Sequence, residues 1–115
     1  MSKPSEPPLN LLFVCSQNKL RSPTAEAVFL AYPGVEALSA GTNNDAVAPI
    51  SADVIEWADV VFCMERIHRD KLARRFKAAF KTTRLVVLDI PDNYAYMDPE
   101  LIRILEAKVP RYVRI

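Results

Sequence analysis

Eight consecutive residues, Cys15-Ser16-Gln17-Asn18-Lys19-Leu20-Arg21-Ser22, join a sulfur nucleophile to a guanidinium within one short turn. A guanidinium can fork two oxygens of a phosphate in bidentate fashion. None of residues 16–21 is proline, so each has a backbone N–H, and amides leading into a helix N-terminus bind an anion. A thiol at the floor of such a turn is held as thiolate by the helix dipole and the arginine charge. Phosphoryl transfer needs little more than an in-line nucleophile, charge stabilisation and an acid for the leaving group. A cysteine that ends an apolar strand is often only a small buried hydrophobe. The serine directly after the arginine, and the passage from strand end to helix start, favour chemistry here.

The flanking pattern supplies that passage. Leu11 to Cys15 is a continuous apolar run, the pattern of a strand buried on both faces. Ser22-Pro23 then opens a helix, with Ser22 as N-cap, and Pro33-Gly34 stops it. A second strand is expected from Val35 to Ser39, a short helix over 51–58 capped by Ser51, and a third strand from Val60 to Met64. A helix from Glu65 to about Phe76, a fourth strand from Leu85 to Leu88 and a last helix begun by Asp98-Pro99 complete the chain. Apolar strands alternating with helices predict an α/β three-layer sandwich. Its four-stranded parallel sheet, in order 2-1-3-4, has helices on both faces. The connections diverge between strands one and three, so a crevice is expected beyond their carboxyl ends, where Cys15 lies. Residues 1–9 are expected to be a disordered tail and 10–115 a single domain.

Composition narrows the chemistry. The 115 residues carry 15 Lys+Arg against 14 Asp+Glu, a net charge of +1, which argues against binding nucleic acid through a basic surface. Two glycines, Gly34 and Gly41, rule out the glycine-rich nucleotide fingerprints. One histidine, His68, and two cysteines, Cys15 and Cys63, leave no zinc module and no disulfide framework. No cofactor or metal, no membrane partner and a reducing, cytoplasmic setting are the expectation. Eight basic residues between Arg66 and Arg84, with Asp70 the one acid among them, read as a solvated helix face, with His68 exposed on it. Cys63 and Trp57 read as core.

The stretch from Leu11 to Phe29 resembles the opening of the low-molecular-weight protein tyrosine phosphatases, in particular their short bacterial members. It contains the pattern C-x2-N-x2-R-S-P in full. Ser39-Ala40-Gly41-Thr42, Val61 to Glu65 and Ile90 to Leu105 are similar to later segments of that family. The resemblance implies a phosphomonoester hydrolase acting through a phosphocysteine on phosphotyrosine or other aryl phosphates. Its partners would be a phosphorylated protein or a small aryl phosphate. It assigns Cys15 as nucleophile and Arg21 as phosphate clamp. Ser16, Gln17, Asn18, Lys19 and Leu20 would form the phosphate loop, and Ser22 would donate its hydroxyl to the Cys15 sulfur. Asn18 would hold the curl of the loop, supported from behind by Ser39. Tyr94 would line the pocket wall.

For the general acid three aspartates compete. Asp98-Pro99 is the one Asp-Pro pair, the form usual in the family, but it is also well placed as a helix cap. Ungapped alignment on the last helix puts Asp92 on the acid loop, with Asn93 where proline is usual, and Asp92 is preferred over Asp98 and Asp89. The chain departs from the family in other ways. Leu20 replaces a second loop cysteine, Gln17 replaces a glycine, Ser16 replaces an apolar wall residue, and the stretch between Thr42 and Val60 is short. Two alternatives stay open: a phosphate- or phosphoprotein-binding module without turnover, and an arsenate reductase.

Overall fold

A computed structural model describes residues 7–115. Residues 1–6 of the expected tail lie outside the described residues. Leu9, assigned to that tail, already opens the first strand, because its N–H donates to the Gly34 carbonyl (2.8 Å) and it pairs with Val35.

The strands are β1 (Leu9–Cys15), β2 (Val35–Gly41), β3 (Val60–Cys63) and β4 (Arg84–Val87). The helices are α1 (Arg21–Leu30), α2 (Ala52–Trp57), α3 (Arg66–Arg75) and α4 (Pro99–Lys108), with 3-10 turns at Ala79–Lys81 and Val109–Arg111. All strand pairs are parallel and their order is β2-β1-β3-β4.

Alternation along the strands divides the core in two. Leu11, Phe13 and Cys15 of β1 and Phe62 of β3 point to one face, covered by Ala25 and Phe29 of α1 and Leu101 and Leu105 of α4. Leu12 and Val14, with Val61 and Cys63, point to the other face, covered by Ile55 of α2 and Leu72 of α3. Both faces being covered explains why β1 reads as an unbroken apolar run. Phe13 stacks between Phe29 (5.5 Å) and Phe62 (5.4 Å), which fixes the height of α1 over the sheet. The helix that follows the phosphate loop is thereby anchored to the strand that precedes it.

Ser51 caps α2 and Asp98 caps α4, each side chain accepting from a first-turn amide. α1 differs from the expectation. It begins one residue before Ser22, its N-cap is Leu20, and no side chain caps it. Ser22 is not the cap because its hydroxyl is already engaged with Cys15 and Asn18. α3 is capped by Glu65 rather than starting on it, and the Glu65 amide donates to His68 Nδ1 (3.1 Å).

Candidate active site

The carboxyl ends of β1 and β3 flank the expected crevice. It holds a basin of about 130 Å³ lined by Cys15, Ser16, Gln17, Lys19, Leu20, Arg21 and Asp92. Cys15 forms the floor and is 4% exposed. Its sulfur lies 2.9 Å from Ser22 Oγ and accepts from the Asn18 amide (3.2 Å). Asn18 Nδ2 donates to Ser22 Oγ (2.9 Å), so the Ser22 proton is left for the sulfur. Two donors thus converge on one sulfur. Asn18 is buried with φ +59°, the left-handed conformation that asparagine tolerates better than most residues. That residue is where the loop reverses. The amides of Gln17, Lys19 and Leu20 donate to no protein group among the described residues, which leaves them for an oxyanion.

Arg21 is 3% exposed and fixed from behind. Its Nη1 donates to Glu65 Oε2 (2.5 Å) and to the Ile90 carbonyl (2.8 Å). The edge formed by Nε and Nη2 remains, the edge that grips two phosphate oxygens side by side. Asp92 Oδ1 stands 3.6 Å from Nε on that edge. Asp92 is exposed, so its carboxylate can yield the edge to a dianion at little cost. Of the three aspartates, Asp92 alone lines the basin. Asp98 accepts from the Glu100 amide (2.9 Å), and Asp89 lies in a neighbouring hollow with Arg66 and Ile67.

Two expected site residues lie elsewhere. Ser39 does not reach Asn18. Alternation along β2 turns it toward α1, where its hydroxyl donates to Glu26 Oε1 (2.5 Å). Tyr94 is half-buried against the core on the α1 and α4 face and does not line the basin.

His68 was expected on an exposed face and is instead fully buried. Its Nδ1 accepts from the Glu65 amide, so Nε2 carries the proton and donates to Ser16 Oγ (2.9 Å). Glu65 and His68 together brace both ends of the loop, Ser16 through the imidazole and Arg21 through the carboxylate. The signal in the sequence was the position of Glu65, just past the end of the strand paired with β1. Burial pushes the His68 imidazole down to about 4, with the Arg21 charge acting in the same direction and Glu65 against it. A histidine whose folded value lies below its unfolded value contributes stability fully above about pH 6.5. That contribution is lost as pH falls toward 4, with a slope of up to about 1.4 kcal/mol per pH unit. Urea unfolding at pH 4.5, 5.5 and 7 is expected to show this loss, reduced in His68→Gln; equal slopes in both proteins would contradict it.

Gly41 is the other support that the sequence did not disclose. A Cβ there would lie 2.5 Å from Ala46 Cβ and 2.6 Å from the Ser16 carbonyl oxygen. The turn after β2 is laid directly on the back of the phosphate loop, with the Thr42 amide donating to the Cys15 carbonyl (2.9 Å) and Asn43 to Ser16 (3.0 Å). Gly41→Ala is expected to cost about 1–3 kcal/mol by overpacking and to weaken phosphate binding. Thermal melting and phosphate titration check both effects; unchanged values in both would refute the contact.

Cys63 is fully buried on the opposite face of the sheet from Cys15, and burial pushes its thiol up to about 12. It is core, as expected. Among the described residues no cluster of metal-ligating side chains occurs, and no helix is long and apolar enough to cross a membrane.

No protein-family model matches the chain, and no curated protein matches it by sequence. Solved structures do match. The YwlE arginine phosphatase from Geobacillus stearothermophilus aligns at 25% identity and a TM-score of 0.70, covering 86% of this chain and 89% of that one. The tyrosine phosphatase Wzb from Escherichia coli K30, in complex with phosphate, aligns at 18% identity and a TM-score of 0.72, covering 90% and 95%. The low-molecular-weight protein tyrosine phosphatase from T. tengcongensis aligns at 19% identity and a TM-score of 0.72, covering 90% and 99%. The resemblance read from the sequence is therefore also one of structure: the chain has the fold of the bacterial low-molecular-weight phosphatases.

Proposed function

We propose that this protein is a phosphomonoester hydrolase that works through a phosphocysteine on Cys15 and acts on aryl phosphates such as phosphotyrosine. The observation that carries the reading is the Cys15 sulfur at the floor of a basin, with two donors on it and the free edge of Arg21 beside it. The likeness to solved phosphatases supports the coarser statement, that the chain is a phosphatase.

The substrate dianion displaces Asp92 from Arg21 Nε and rests on the arginine edge and the loop amides. The Cys15 thiolate attacks phosphorus in line. The S–P bond forms as the bond to the leaving oxygen breaks, and protonated Asp92 gives that oxygen its proton. Water then attacks phosphorus while the Asp92 carboxylate accepts its proton. The S–P bond breaks, and the departing sulfur is received by the Ser22 hydroxyl and the Asn18 amide. Nothing in this sequence calls on a metal or cofactor.

The protein is expected to hydrolyse p-nitrophenyl phosphate in the presence of a chelator. Acid quenching during turnover should leave one phosphate on the peptide that contains Cys15, detected by mass spectrometry. Turnover with the phosphate trapped on another residue would overturn the mechanism.

A second substrate class has a specific observation behind it. No aromatic side chain lines the basin among the described residues, and Lys19 and Gln17 stand at its rim. One of the matched structures is an arginine phosphatase. Parallel rates on phosphotyrosine and phosphoarginine peptides separate the two. A higher kcat/KM on phosphoarginine would move the assignment to that class. The expected setting remains the cytoplasm.

The two alternatives left open by the sequence fare differently. A binding module without turnover keeps the same basin and is separated by the assay above. An arsenate reductase needs a relay of further thiols, and Cys63, the one other cysteine, lies across the sheet from Cys15.

A further inference from the structure

A trough of about 530 Å³ opens between α3 and the turn after β2, lined by Thr42, Asn43, Asn44, Lys71, Arg74 and Arg75. Three of these six residues are cationic and none is a carboxylate. Among the described residues none of the three cations is ion-paired. The nearest acid on α3, Asp70, pairs with Arg69 (3.4 Å).

Arg75 is held rather than free. Its Nη1 donates to the Thr42 carbonyl (3.1 Å), and its guanidinium lies over the Phe76 ring at 5.2 Å. Its remaining N–H groups are therefore presented in a fixed position. A second, independent observation comes from Thr42. The residue is 4% exposed, and its hydroxyl is buried with no hydrogen-bond partner among the described residues. A buried hydroxyl left unpaired is uncommon and signals a missing partner.

We propose that this trough is a second oxyanion site, distinct from the catalytic basin, that takes a phosphate group. Lys71, Arg74 and the Arg75 fork supply charge. The Thr42 hydroxyl and the Asn44 amide, which has no backbone partner among the described residues, supply neutral donors. A phosphate, with oxygens in several directions, suits donors that converge from a helix and a turn. The site does not depend on the chemistry assigned to Cys15. It adjoins that chemistry, because Thr42 and Asn43 also hydrogen-bond the back of the phosphate loop.

The test is a titration of the full-length 15N-labelled protein with inorganic phosphate, read by amide shifts. Two groups of amides are expected to respond with separate saturation, residues 16–21 and residues 42–44 with 70–76. In the double variant Lys71→Gln/Arg74→Gln the dissociation constant of the second group should rise about tenfold or more, with the first group unchanged. No response along α3, or the same response in the double variant, overturns the proposal. Turnover of p-nitrophenyl phosphate by the double variant should stay within about twofold of the parent. If the parent shows no turnover, the catalytic reading fails while the titration still decides the trough.

A second arm identifies the source of the phosphate. If it is carried by the substrate, the double variant loses the preference for a doubly over a singly phosphorylated tyrosine peptide, read as kcat/KM. If it is free phosphate, that ratio is unchanged and the shifts alone report the site.

Discussion

Cys15→Ser is expected to lose about 10,000-fold or more in turnover of p-nitrophenyl phosphate while still binding phosphate. The two halves of this result have separate causes. Sulfur is the attacking atom, and a serine hydroxyl in its place has no base to ionise it. The described structure places no such base beside the position: its neighbours there are the Ser22 hydroxyl and the Asn18 amide, both donors. Binding rests instead on the Arg21 edge and on the amides of Gln17, Lys19 and Leu20, which the substitution leaves in place. Steady-state kinetics and a phosphate titration measure the two parts. Turnover within tenfold of the parent would remove Cys15 from the mechanism. A parent that binds phosphate equally well but never turns over would make the protein a binding module.

The second large effect separates two aspartates. Asp92→Asn is expected to reduce kcat by about 100- to 10,000-fold, more on phenyl phosphate than on p-nitrophenyl phosphate. A poor leaving group needs its proton most, so dependence on the leaving group is the mark of a lost acid. The fall in kcat/KM at high pH that reports a protonated acid should also disappear. Asp98→Asn is the control. Asparagine caps a helix about as well as aspartate, so both stability and rate should stay close to the parent. A pH–rate profile for the three proteins settles the assignment. A loss in Asp98→Asn with none in Asp92→Asn would reverse it.

The fold was legible because its signals are local. Apolar runs bounded by caps and prolines placed all four strands and four helices, and the chirality of crossovers gave the strand order. What failed were side chains whose partners come from another element. Ser39 was assigned to Asn18, but strand alternation delivers it to Glu26 on α1. Ser22 has the ordinary form of a helix cap, and that reading failed, whereas the donation to Cys15 that the family resemblance implied is the contact the folded chain makes. His68 stands among basic residues and looks solvated. It is drawn inward because it completes a hydrogen-bond bridge between the Glu65 amide and Ser16. Gly41 carries no mark in sequence of the loop that lies against it.

The depth of the basin has a practical consequence for labelling. Among the described residues, Cys15 lies at the floor of a basin lined by Arg21 and Lys19, whereas Cys63 is sealed in the core and stays protonated. A small anionic alkylating agent such as iodoacetate should therefore outpace neutral iodoacetamide at Cys15, and a bulky maleimide should lag behind both. One molecule of probe would attach per native chain, and inorganic phosphate in the buffer would shield the sulfur from it.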